Sequence, residues 1–160
     1  MNHTPSHYRI LLLTTLLLVS RHSSGLEFLA TIPLVDKGVA TYYVHGHIDG
    51  MGAVEFMVDT GSGYSTINES ALEQLKRSGD AVYLRDLGGI LADGSQLRVP
   101  LYRLSRVTIG DHCQLHGVEA AVFPGHTRFI LGLSALKQAA PFAFAIEPTP
   151  RLALGRCAQS

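Results

Sequence analysis

The sequence predicts a mainly β domain: a mostly antiparallel, barrel-like sheet with one or two short helices. Three features carry that expectation. Apolar residues recur in short stretches broken by glycine-bearing turns, the same composition returns through most of the second half, and a helical pattern of any length occurs once, at Asn68 to Arg77.

Taken in order, Thr31 to Val58 is interrupted at Lys37-Gly38, His45-Gly46 and Asp49-Gly50-Met51-Gly52, so Ala40 to Ile48 and Ala53 to Val58 read as a hairpin. In the helical segment, Ser70-x-x-Glu73 reads as a capping box, Leu72 and Leu75 share one face, and Gly79 is placed to end the helix. Val82 to Leu87, Gly89 to Leu104 and Val107 to Val122 are strand-like, with turn signals at Asp93-Gly94 and Gly110-Asp111. Leu133 to Ala139 reads as a second short helix. Phe142 to Ile146 and Leu152 to Leu154 form a closing strand pair around Pro148-Thr149-Pro150.

The first 25 residues differ from the rest. A mildly basic start (His3, His7, Arg9) precedes the apolar run Ile10 to Val19, and Ser20 to Gly25 are mostly small or polar, which is the order of a secretory signal peptide. The run falls short of the ~20 residues a bilayer-spanning helix needs. Residues 1–25 are therefore expected to be a signal peptide, or alternatively an N-terminal anchor, followed by one domain over residues 26–160. An exported protein, periplasmic or secreted, is expected, with membrane attachment only if that segment is retained.

With 46% hydrophobic residues and a mean hydropathy of +0.19, 160 residues supply a single ordinary core rather than a disordered chain. Thirteen basic residues balance thirteen acidic ones, with no basic run and no Trp, so no nucleic-acid partner is expected. Cys113 and Cys157 permit one disulfide in an exported protein, the alternative being a buried free pair. No CxxC or His/Cys cluster argues for zinc.

The motif with chemical content is Phe56-Met57-Val58-Asp59-Thr60-Gly61-Ser62. An apolar strand delivers Asp59 from the core to a turn, Gly61 offers a peptide N–H with no side chain to block approach, and the hydroxyls of Thr60 and Ser62 are placed to lock a carboxylate. Two such carboxylates sharing one proton supply both the base and the acid that peptide hydrolysis needs.

These residues resemble the active-site motif of the retroviral-type, or retropepsin-like, aspartic proteases, and the chain is more closely similar to their bacterial exported members. The likeness runs from about Val39 to Leu154. It implies a closed antiparallel barrel forming half of a bilobal pepsin-like site. By resemblance, Asp59 is the catalytic residue, Thr60 hydrogen-bonds across a dimer, and Gly61 lies beside the carboxylates. Ile130-Leu131-Gly132 resembles the apolar-apolar-Gly signature that packs against the active-site loop, with Leu133-Ser134-Ala135-Leu136 following as a helix. Ala92, Asp93 and Gly94 stand where the family carries its flap. The chain departs from the family pattern at Gly63, where a small hydroxyl or alanine side chain is usual.

The sequence holds one Asp-Thr-Gly and no Asp-Ser-Gly, so the chain supplies half a site. A two-fold homodimer acting on polypeptide is expected, with no metal or organic cofactor. Leu26 to Pro33 and Phe142 to Leu154 are its expected contact regions. A catalytically inactive, dimeric binding module with the same fold is the alternative.

Other candidates have plainer readings. His45 and His47, with Asp49 following, have a spacing that can bind metal but lack a clear fourth ligand. They read as a solvated hairpin face, as do His112 and His116 around Cys113. Gly63-Tyr64-Ser65-Thr66-Ile67 lacks the last glycine of a nucleophile elbow, no Gly-Lys-Ser/Thr phosphate loop follows, and Tyr64 reads as a packing residue.

Overall fold

A computed structural model describes residues 27–90 and 96–158. Residues 1–25 and the flap triplet Ala92, Asp93 and Gly94 lie outside the described residues. Strands β1 (Ala30–Pro33), β2 (Val35–Asp36), β3 (Tyr42–Ile48), β4 (Gly52–Val58) and β5 (Ser65–Asn68) precede helix α1 (Glu69–Ser78). Then come β6 (Ala81–Ile90), β7 (Gln96–Ile109), β8 (Cys113–Phe123), β9 (Ile130–Leu131), α2 (Leu133–Leu136), β10 (Phe142–Ala145) and β11 (Arg151–Leu154).

The main sheet runs β2-β3-β4-β9-β5-β8-β7-β6, and an added pairing of β3 with β7 closes its middle into a barrel. Closure falls at Gly46, opposite Ile109. A Cβ there would sit 2.5 Å from the Thr108 carbonyl oxygen and 3.2 Å from the Phe56 ring, so only glycine lets the two strands meet. The turn after β3 is tied to β7 as well: Asp49 N–H donates to the Arg106 carbonyl at 3.2 Å, and Arg106 Nε donates to Asp49 Oδ2 at 2.6 Å. That carboxylate holds the Arg106 guanidinium charged, raising its pKa. It is therefore engaged by arginine, with His47 Nδ1 at 3.7 Å.

Within this mostly antiparallel sheet two pairs are parallel, β4 with β9 and β5 with β8. Parallel neighbours need a crossover. The segment from β5 through β8 supplies the first, and α1 with the β6–β7 hairpin supplies the second. The core of the barrel is apolar and fully buried, with Val44, Ile48, Phe56, Ile67, Leu75, Leu104, Ile109, Leu131 and Leu136 at its centre. A smaller cluster of Val99, Leu101 and Ala121 lies under the β6–β7 hairpin, packed by Tyr64, Leu84, Leu87, Leu97 and Phe123.

Helix α1 forms where its pattern predicts and buries Ala71, Leu72 and Leu75, but its cap is not the expected one. Asn68, at the extended end of β5, caps it: its side-chain oxygen accepts the Ala71 N–H at 2.9 Å while its amide nitrogen donates to the Thr127 carbonyl at 3.2 Å. Ser70 lies within the first turn instead, because the helix begins at Glu69 directly out of the strand. Gly79 ends it in the left-handed conformation.

Strands β1, β11 and β10 make a separate three-stranded antiparallel sheet that joins the two regions expected to meet a partner. Cys113, at the start of β8, is disulfide-bonded to Cys157, 44 residues later, which pins the chain after β11 to the barrel. Among the described residues no helix is long and apolar enough to cross a membrane. Because the bond shortens the loop available to the unfolded chain, replacing both cysteines by serine is expected to cost about 2–4 kcal/mol. A denaturant midpoint unchanged by the double substitution would refute that.

Candidate functional site

Asp59 directly follows β4, whose Phe56 is buried in the core. Its N–H donates to the Leu131 carbonyl at 3.2 Å, extending the β4–β9 ladder by one bond. The chain then turns, with Ser62 N–H donating to the Asp59 carbonyl at 3.3 Å. Gly61 N–H donates to Asp59 Oδ1 at 2.8 Å, which sets the carboxylate's rotamer from within its own loop. A Cβ on Gly61 would sit 3.2 Å from that oxygen and crowd it. Asp59 is half-buried, whereas Thr60 and Gly61 are exposed, so the tip of the turn faces outward from the protomer.

Ile130-Leu131-Gly132 provides the clamp. β9 lies between β4 and β5, pairing Met57 with Ile130 and Val58 with Leu131 on one side and Thr66 with Ile130 on the other. Gly132 is packed so tightly that a Cβ would fall 2.2 Å from the Tyr64 carbonyl oxygen and 3.0 Å from that of Ser62. Beyond it, Leu133 N–H donates to the Ser62 carbonyl at 2.9 Å and Ser134 N–H to the Gly63 carbonyl at 3.0 Å. The start of α2 thus satisfies the acceptors of the Asp59 loop.

The structure corrects one expected role. Ser62 Oγ donates to the Tyr64 carbonyl at 2.6 Å and so braces the loop backbone rather than the carboxylate. Gly63 has open space where a Cβ would be, so its lack of a side chain is not a packing requirement.

A second support was not legible in the sequence. Ser65 and Thr66 are the buried polar residues of the described chain, and from opposite faces of β5 their hydroxyls bond to the segment on either side of β9. Ser134 Oγ accepts the Ser65 N–H at 2.8 Å and lies 2.7 Å from the Glu119 carbonyl and 3.1 Å from Ser65 Oγ. A hydroxyl has one proton, and a carbonyl can only accept. Ser134 Oγ therefore donates to the Glu119 carbonyl, and the Ser65 hydroxyl donates in the contact between the two side chains. Gly132 N–H donates to Ser65 Oγ at 3.3 Å, and Thr66 Oγ1 donates to the Arg128 carbonyl at 3.2 Å. The available signal was a pair of small hydroxyl residues opening the short strand Ser65–Asn68, which fixes no partner by itself.

Beside the loop is a largely apolar cavity of about 420 Å³, lined from the loop by Ser62, Gly63 and Tyr64 and from the hairpin by Leu87, Leu97 and Val99. The hairpin strands pair out to Ile90 opposite Gln96, flanking the expected flap. A larger hollow of about 590 Å³ lies between β1 and the β7–β8 turn, where His45, Asp111 and His112 line it. It shares no residue with the Asp59 loop and is not the site described here.

A closed barrel with an Asp-Thr-Gly turn clamped by an apolar-apolar-Gly strand defines the retropepsin-like class of aspartic proteases. Residues 44–138 match the family described as "gag-polyprotein putative aspartyl protease", and the chain belongs to that family. Its fold is similar to a crystal structure of a retropepsin-like aspartic protease from Rickettsia conorii, with 17% identity and a TM-score of 0.52. The match covers 78% of this chain and 89% of that one. No curated protein matches the sequence significantly.

Two substitutions test the clamp. Gly132→Ala is expected to cost more than about 3 kcal/mol, because its Cβ meets backbone that cannot move away without opening the loop. Ser134→Ala, which removes the acceptor of a buried N–H, is expected to cost about 1–3 kcal/mol. Urea unfolding measures both, and wild-type midpoints would show that the clamp contributes little.

Proposed function

We propose that the chain is an aspartic endopeptidase working as a homodimer, with one Asp59 from each protomer on either side of a bound water. The observation that carries this reading is the Asp59 turn: a carboxylate held by the Gly61 N–H on a loop braced from behind, at the protomer surface. The sequence has one such triplet, so a pair of carboxylates requires a second copy and a two-fold axis between them.

Two carboxylates in close contact cannot both ionise easily, so the pair holds one proton over a wide pH range. The ionised one takes a proton from water as its oxygen attacks the peptide carbonyl carbon. The protonated one gives its proton to the carbonyl oxygen. Collapse of the resulting diol, with a proton delivered to the departing nitrogen, breaks the C–N bond and leaves acid and amine. Thr60 of each protomer is proposed to hydrogen-bond across the axis, consistent with its exposure at the tip of the turn.

An extended peptide would lie between the Asp59 loop and the β6–β7 hairpin, placing a side chain in the apolar cavity. Ala92, Asp93 and Gly94 are proposed to close over it. Export as a periplasmic or secreted protein is supported by the order of the first 25 residues and by the Cys113–Cys157 bond.

Asp59→Asn, which keeps size and shape but removes the ionisable group, is expected to lower peptide cleavage by about 10³-fold or more while circular dichroism and sedimentation stay unchanged. Normal cleavage by this variant would eliminate the mechanism. Separately, equal mixing of wild type with Asp59→Asn protein, with subunits allowed to exchange, is expected to leave about half the activity of the same wild-type amount alone, since mixed pairs have one carboxylate. Full activity in the mixture would show that each protomer works by itself.

A further inference from the structure

The cavity beside the Asp59 loop is apolar on most sides, with Leu87, Leu97, Val99, Ala121, Phe123 and Ile130 in its lining. Tyr64 differs: its ring packs with this apolar cluster, and its hydroxyl accepts a hydrogen bond from Arg85 Nη2 at 2.8 Å. Tyr64 belongs to the loop that follows Asp59, and Arg85 belongs to β6. The bond therefore links the Asp59 loop to the hairpin at the cavity rim.

Arg85 points there because β6 is irregular. Tyr83 pairs with Tyr102, but Arg85 pairs with Leu101, so the extra residue Leu84 shifts the register. Neighbouring residues of β7 face opposite ways, which places Tyr83 and Arg85 on opposite faces where a regular strand would put them on the same one. After the bulge, Arg85 shares its face with Leu87, whose partner Val99 also lines the cavity. The nearest carboxylate in sequence, Asp86, accepts from Tyr83 OH at 3.1 Å. The bulge thus brings a cation to the edge of an apolar hollow and leaves its acidic neighbour with Tyr83.

We infer that Tyr64 and Arg85 set the substrate preference of this site: a peptide with a bulky apolar side chain in the cavity and an acidic side chain beside it, against the Arg85 guanidinium. The inference rests on the peptidase reading. Tyr64 shapes the apolar wall and holds Arg85 at its rim. The guanidinium, a planar fork suited to carboxylates, supplies the charge selection.

The test compares peptides that share a leucine or phenylalanine and differ only in Glu or Lys at the adjacent positions. Cleavage is measured with wild-type protein, and binding with Asp59→Asn protein by fluorescence anisotropy. Glu peptides are expected to be favoured about fivefold in both assays, as for an exposed ion pair. Arg85→Glu, on an exposed side chain, is expected to reverse the preference, and Tyr64→Phe to weaken it while bulky apolar residues remain favoured. Indifference to Glu against Lys in both assays, or an unchanged preference in Arg85→Glu, overturns the inference. Binding with this preference but no cleavage by wild type would instead overturn the peptidase reading and leave the selectivity standing.

Discussion

The structure depends on one steric constraint, the backbone-to-backbone approach at Gly132. β9 is two residues long, yet it sits between β4 and β5 and holds the two ends of the Asp59 loop in place. Short strands have little stability of their own. This one persists because Leu131 is fully buried and the residues after it meet the carbonyls of Ser62 and Gly63. A side chain at position 132 would push that loop away from the strand that positions it.

The polar part of the clamp has the same logic. A loop that turns sharply leaves peptide groups unpaired, and burying them without partners is costly. Here the Ser62, Ser65 and Ser134 hydroxyls and the first N–H groups of α2 take up those groups, and no side-chain polar atom buried among the described residues lacks a partner. Asp59 is then a half-buried carboxylate beside the exposed tip of a loop whose other bonds are satisfied inward. Rigid placement of this kind is what acid–base chemistry requires of its groups.

Around the loop the molecule divides into a tightly packed barrel and a smaller apolar cluster beneath the β6–β7 hairpin. The barrel core carries the larger share of burial and fixes Asp59. The smaller cluster borders the cavity, so the hairpin side of that cavity rests on fewer buried residues. The bulge at Leu84 belongs to that second region. There a change of one residue in register decides whether a charge lies on the Leu101 face of the sheet, beside the cavity, or on the Tyr102 face.

The sequence by itself determined the elements that depend on local chemistry: the β3–β4 hairpin, α1 with its Gly79 end, the Gly110-Asp111 turn, the closing strand pair and the Asp59 motif. In each, periodicity and turn residues act over a few positions, so the physics is contained in the stretch being read. Asn68 and Ser70 are both good caps by residue type, and where β5 ends decides for Asn68. Only the tertiary structure decided the pairing of Cys113 with Cys157, the closure at Gly46, the Ser65–Ser134 support, the role of Ser62 and the direction of Arg85. Most depend on segments distant in the chain coming within a few ångströms, and residue type alone does not say which partner a hydroxyl, a thiol or a guanidinium will meet.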